Sequence, residues 1–145
     1  MYLLDTNVIS EYRKATKANA GIIQFFDATQ DEALFLPVQV IGEIQAGISK
    51  LRRQKDAQAT RRANTYELWL DSLLAEFGDR ILQFDIDAAR LWGTLLSSEK
   101  KDPHSIDKQI AAIALIHSLT VVTRDKGIAF TRIPNLRTFD PFTST

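Results

Sequence analysis

Short, continuous apolar runs alternate along this chain with longer segments whose apolar residues recur at helical spacing. That alternation constrains the fold more than any other feature. Tyr2-Leu3-Leu4, Ala33-Leu34-Phe35-Leu36, Ile81-Leu82-Gln83-Phe84, Leu119 to Thr123 and Leu136 to Phe139 read as strands. The 119–123 run, with Leu119, Val121 and Val122, has the unbroken apolar character of a parallel strand covered on both faces. Helical patterns lie between them, over Val8 to Arg13, Asn19 to Ala28, Gln39 to Arg53, Asp56 to Phe77, Ile86 to Ser97 and Ser105 to His117. In the third of these, Val40, Ile41, Ile44, Ile48 and Leu51 fall on one helical face. Strands alternating with helices imply parallel βαβ units. The expectation is a three-layer α/β fold with a central parallel sheet of four or five strands flanked by helices. No repeat, linker or low-complexity segment divides the 145 residues, so a single domain over 1–145 is expected.

Composition narrows the chemistry. Eighteen Lys and Arg balance eighteen Asp and Glu, which excludes a strongly basic nucleic-acid binder as a description of the whole molecule, though not a local basic face. The absence of Cys excludes disulfide scaffolds, zinc ribbons and thiol nucleophiles, and suits a reducing cytoplasm. Two His are too few for a multi-histidine metal site. No apolar run approaches the ~20 residues of a membrane span, and the start, Met1-Tyr2-Leu3-Leu4-Asp5, lacks the pattern of a signal peptide. A cytoplasmic protein without a membrane partner is expected.

The acids are placed informatively. Asp5 lies at the carboxyl end of the first strand and Asp125 just past that of the Thr120–Thr123 run, where open parallel sheets form their sites. Asp107 is near the start of the Ser105–His117 helix, and Glu43 lies within the Gln39–Arg53 helix. Each has a purely structural reading as well: Asp5 as a helix N-cap, Asp107 as a charge at a helix N-terminus, Asp125 as a turn residue, and Glu43 as the rim of an amphipathic helix. Gathered at one sheet edge, the four would repel one another unless neutralised. A hard divalent cation such as Mg²⁺ or Mn²⁺, which prefers oxygen ligands, would neutralise them and suits phosphoryl chemistry.

The residues that carry these acids also carry a resemblance. Leu3-Leu4-Asp5-Thr6-Asn7-Val8-Ile9-Ser10-Glu11, Val40-Ile41-Gly42-Glu43-Ile44 with Gly47, Asp107 to Ala114, Leu119 to Asp125 and the closing Phe139-Asp140-Pro141-Phe142 together resemble a PIN-domain ribonuclease of the VapC or FitB type, the toxin of a type II toxin–antitoxin pair. The resemblance spans essentially the whole chain. It implies a PIN-like fold and an endoribonuclease that cleaves structured or single-stranded RNA with a metal-activated water. It implies Asp5, Glu43, Asp107 and Asp125 as catalytic residues and Mg²⁺ ligands, Mn²⁺ being a substitute. Thr6 and Thr123 would orient the acids, and Asn7 would brace the turn. It also implies a homodimer, a cognate VapB- or FitA-like antitoxin that inhibits it, and operator DNA bound only through that antitoxin.

Basic residues around the acids are candidates for RNA contact, namely Arg52, Arg53 and Lys108. The same charges read equally as solvated helix faces. His104 reads as a loop histidine, and His117 as a helix-terminal cation with no chemistry. Two other functions compete. A non-catalytic PIN-like module within an antitoxin–DNA repressor complex would not need four acids. A haloacid-dehalogenase-like phosphatase would need a second Asp where Asn7 stands.

Overall fold

The computed structural model describes residues 1–97, 101–124 and 129–143. In chain order the elements are β1 (Tyr2–Leu4), α1 (Thr6–Tyr12), α2 (Ala20–Ala28), β2 (Leu34–Pro37), α3 (Val38–Arg53), α4 (Ala57–Phe77), β3 (Ile81–Leu82), α5 (Ile86–Leu95), α6 (Ser105–His117), β4 (Thr120–Val122) and β5 (Thr138–Phe139). The strands form one five-stranded sheet in the order β3-β2-β1-β4-β5, and every neighbouring pair is parallel. The expected α/β class, parallel sheet and strand number are all present.

Alternation along β1 and β4 divides the core. Leu4 and Val122, with Leu36 of β2, face one side with Val8, Ile22, Phe25, Val40 and Ile48, from the α1–α4 layer. Leu3 and Val121 face the other with Ala111, Ile113 and Phe130, against α5 and α6. Successive strand side chains point to opposite faces, so two adjacent apolar residues are the least that a doubly covered strand needs. The three alanines of α6 at 111, 112 and 114 are fully buried, which is the close helix–sheet packing their size predicts.

Boundaries differ from expectation where polar side chains set them. Asp5, Asn19, Asp56 and Asp85 cap α1, α2, α4 and α5 by accepting the backbone N–H of Thr6, Gly21, Ala59 and Ala88. Each such cap is worth about 1 kcal/mol. Pro37, expected to break a strand ending at Leu36, instead pairs with Leu82 as the last residue of β2 and then serves as the N-cap of α3. A residue without an N–H is tolerated there because the helix has not begun its own ladder. The third strand is only two residues long, since Asp85 already caps α5. Gly78 takes φ +48° at the end of α4, a conformation that favours glycine. Among the described residues no helix is long and apolar enough to cross a membrane.

Candidate active site

The sheet reverses direction of growth at β1. The chain adds β2 and β3 on one side of it, then returns to add β4 and β5 on the other. Parallel sheets open a crevice at such a switch, outside the carboxyl ends of the strands. The register pairs Leu4 with Val122, so the next residues, Asp5 and Thr123, emerge side by side. The Asp5 N–H still donates to the Val122 carbonyl at 3.0 Å.

Both oxygens of Asp5 are held. Oδ1 accepts the Thr6 N–H at 2.8 Å, and Oδ2 accepts the Thr123 hydroxyl at 2.8 Å. Asp5 is 8% exposed and Thr123 2%. The Asn7 amide donates to Thr123 Oγ1 at 3.4 Å and accepts the Arg124 N–H at 3.2 Å. Asn7 therefore stitches α1 to the segment after β4, and Thr123 orients Asp5. The N-cap and functional readings of Asp5 are compatible: the backbone donor that caps α1 also fixes one carboxylate oxygen.

Glu43 and Asp107 arrive from opposite layers. Glu43 sits in the second turn of α3 and Asp107 in the first turn of α6. A hydrogen bond from Gln39 Nε2 to Gln109 Oε1, at 3.1 Å, ties these helices together across the sheet edge. Asp5, Thr6, Glu43, His104, Asp107 and Arg124 then line a common cleft of about 490 Å³. Glu43 is exposed along its flank. Partial burial of its carboxyl, then the negative charge of Asp5, push its pKa above the ordinary value; Asp107 adds to the rise and the Thr6 hydroxyl opposes it. That hydroxyl is itself buried and makes no hydrogen bond of good geometry.

The coupling makes a testable statement about the chain held in chelator. A carboxyl whose pKa is higher folded than unfolded binds protons more readily in the folded state, so stability falls as pH rises through that window. Glu43→Gln removes this loss. The variant should match the parent below pH 4.5, the ordinary value of the group, and exceed it at neutral pH. The gain should stay under about 1 kcal/mol, because solvent screens an exposed side chain. Denaturant melts at pH 4 and pH 7 check it; an equal gain at both pH values would point to packing instead.

Asp102 ties Ser97 to the start of α6. Its carboxylate accepts the N–H of Ser97 and of His104 at 2.9 Å each and the Lys108 ammonium at 2.5 Å. The Lys108 contact, with the two backbone donors, holds the Asp102 carboxyl well below the usual carboxylate range. This arrangement delivers His104 to the cleft, with its Nδ1 3.9 Å from Asp107 Oδ2.

The expected RNA contacts fall elsewhere. Lys108 is engaged with Asp102, and Arg52 bridges α3 to α4 by pairing with Glu67 and Asn64. Arg53 is exposed at the end of α3. None of the three lines the acidic cleft. Asp125 lies outside the described residues. His104 and Arg124 line the cleft, although sequence reasoning gave neither a role. Their only signal is adjacency, His104 three residues before Asp107 and Arg124 directly after Thr123.

The donor set suits a hard divalent cation. It consists mainly of the carboxylate oxygens of Asp5, Glu43 and Asp107, with His104 beside Asp107, on elements that bring like charges close enough to raise a pKa. Among the described residues no three acidic or histidine side chains converge closely enough to hold an ion alone. A Mg²⁺ site commonly keeps several waters and takes one or two carboxylates, which this cleft can supply.

A parallel α/β sheet with acids gathered at its switch point defines the class of the molecule. The chain belongs to the PIN domain family, whose sequence profile matches residues 2–136. It is 36% identical over 130 residues to the plasmid stability protein StbB of Pseudomonas syringae pv. tomato, covering 88% of this chain and 89% of that one. It is 35% identical to the toxin FitB of Neisseria gonorrhoeae, covering 90% and 91%, and 33% identical to the VapC ribonuclease Y4jK of Sinorhizobium fredii, covering 86% and 87%. A solved structure of FitAB bound to a DNA fragment superposes with a TM-score of 0.77 at 30% identity, over 100% of this chain and 98% of that chain.

Proposed function

We propose that this chain is the endoribonuclease toxin of a type II toxin–antitoxin pair and that it acts with Mg²⁺ or Mn²⁺. The observation that carries this reading is the switch-point cleft, where Asp5 is oriented by Thr6 N–H and Thr123 and shares its charge field with Glu43 and Asp107. Likeness to FitB and to a VapC ribonuclease supports it.

Asp5, Glu43 and Asp107, with Asp125, would hold the cation. When bound, it polarises the scissile phosphate and lowers the pKa of an attacking water. Thr123 and the Thr6 N–H keep Asp5 in one orientation, and Asn7 keeps Thr123 in place. Arg124, at the cleft wall, offers a guanidinium to an incoming phosphate. Looped or single-stranded RNA is the substrate class, because an exposed strand can present a phosphate to a recessed cleft, whereas a closed A-form helix cannot.

A cognate antitoxin covers the toxin, the toxin is a homodimer, and operator DNA is bound through the antitoxin; the similarity to FitAB, solved as a complex on a DNA fragment, supports the pairing with an antitoxin. All of it suits a cytoplasmic protein.

The test is cleavage of a defined RNA with end analysis. Activity should vanish in EDTA and return with Mg²⁺ or Mn²⁺. Products should carry a 5′ phosphate and a 3′ hydroxyl. A 2′,3′-cyclic phosphate on the upstream fragment would mean attack by the 2′-hydroxyl, and the water mechanism would fall.

A further inference from the structure

His104 stands at a capping position and caps nothing. It directly precedes α6, where Ser, Thr, Asp or Asn would accept a backbone N–H. Its imidazole makes no such bond. Yet its backbone is held on both sides. The N–H donates to Asp102 and the carbonyl accepts the Lys108 N–H, at 2.9 Å each. The next carbonyl, of Ser105, accepts the indole N–H of Trp92 at 3.0 Å. Asp102 is secured in turn by the Ser97 N–H and the Lys108 ammonium. These bonds fix the place of a residue whose ring the helix terminus does not use.

That ring lines the acidic cleft with Asp5, Glu43 and Asp107. Its Nδ1 lies 3.9 Å from Asp107 Oδ2, too far for a hydrogen bond. The spacing suits two donors that share an ion. Ligands about 2.1 Å from a six-coordinate cation sit roughly 3 Å apart when adjacent and roughly 4.2 Å apart when opposite. The observed separation falls inside that range.

We propose that His104 supplies a nitrogen ligand, beside Asp107, to the divalent cation of the acidic cleft, and that it biases the site towards Mn²⁺ over Mg²⁺. The proposal rests on the metal-dependent reading above and names the ion that the site prefers. Donor chemistry sets the preference. Mg²⁺ takes oxygen ligands and gives up its waters reluctantly. Carboxylates serve Mg²⁺ and Mn²⁺ alike, whereas an imidazole nitrogen favours first-row transition ions. One nitrogen among carboxylates therefore separates two ions that the acids alone would treat similarly.

The experiment uses the full chain, without an affinity tag and without RNA, loaded with Mn²⁺ alone. Electron spin-echo envelope modulation registers a directly ligated imidazole through the nuclear coupling of its nitrogen. The chain holds two His, and the other, His117, ends α6, roughly 20 Å away at the rise of a helix. Wild type and His117→Gln should show nitrogen modulation, and His104→Gln should lose it. In titrations that follow the signal of the free ion, His104→Gln should weaken Mn²⁺ binding roughly tenfold, the low end of what a lost contact in a metal site costs. Mg²⁺, competed against Mn²⁺, should weaken by less than about twofold. The melting temperature of the metal-free variant should match that of the wild type, because the imidazole caps nothing. Bound Mn²⁺ without nitrogen modulation in the wild type would overturn the proposal and leave the nuclease reading standing. So would an unchanged preference between Mn²⁺ and Mg²⁺ in His104→Gln. A wild type that binds no Mn²⁺ would overturn it as well, and if that chain also cut no RNA with either ion, the function would fall with it.

Discussion

Asp5→Asn should abolish RNA cleavage and leave the fold intact. A drop of at least about a hundredfold is expected, since about 3 kcal/mol of transition-state stabilisation is a modest share of what a bound cation supplies. The fold should survive because asparagine caps helices about as well as aspartate. Its Oδ1 can still accept the Thr6 N–H, and its amide faces Thr123 Oγ1, a hydroxyl that can turn from donor to acceptor. The substitution also removes a negative charge that raises the pKa of Glu43, so relief of repulsion works in its favour. A thermal melt at or above that of the wild type, with no cleavage, is the expected pair of results. Retained cleavage would remove Asp5 from the chemistry. A substantially lower melting temperature would show that the charged form is needed by the fold itself.

The acids and the sheet were legible in the sequence for the same reason. A parallel strand covered on both faces must be continuously apolar, and the first polar residue after it marks the carboxyl end where a site forms. Tyr2-Leu3-Leu4-Asp5 and Thr120-Val121-Val122-Thr123 both obey this rule, and the register sets Asp5 beside Thr123. Helical periodicity located Glu43 and Asp107 on α3 and α6. What the pattern left open is how side chains spend their charge. Arg52 and Lys108 looked available because a sequence lists charges without partners. In the fold, Glu67 lies one helix away from Arg52, and Asp102 turns back onto Lys108 from the preceding loop. Conversely, nothing in the sequence announced the stacking of Arg13 on Tyr66 and Trp69, more than fifty residues on in the chain. The strand expected over 81–84 ends at Leu82, because nothing in Gln83-Phe84 announces that Asp85 caps the next helix.

Gly21→Ala should lower stability in the full chain and raise it once the tail is removed. A Cβ at Gly21, near the start of α2, would lie 2.0 Å from the Pro141 carbonyl oxygen and under 3 Å from two atoms of Thr143. The first of these is backbone and cannot swing aside, so residues 141–143 must lift. Lifting breaks the bonds of Asn19 to the Thr143 N–H and carbonyl, at 3.0 and 2.9 Å. It also withdraws the Phe142 ring, which lies 4.4 Å from the Arg124 guanidinium. Overpacking of this kind costs about 1–3 kcal/mol. Because Arg124 lines the acidic cleft, cleavage should weaken too, mainly through a higher KM. Truncation after Asp140 should reproduce both losses without touching α2. In that background the same alanine meets no carbonyl and contributes only its better helix propensity, up to about 1 kcal/mol. The two changes should therefore be strongly non-additive, with a change of sign for Gly21→Ala in a double-mutant cycle read by denaturant melts. A destabilisation of equal size in the full-length and truncated chains would mean that the glycine serves α2 alone and that the tail is not seated on it.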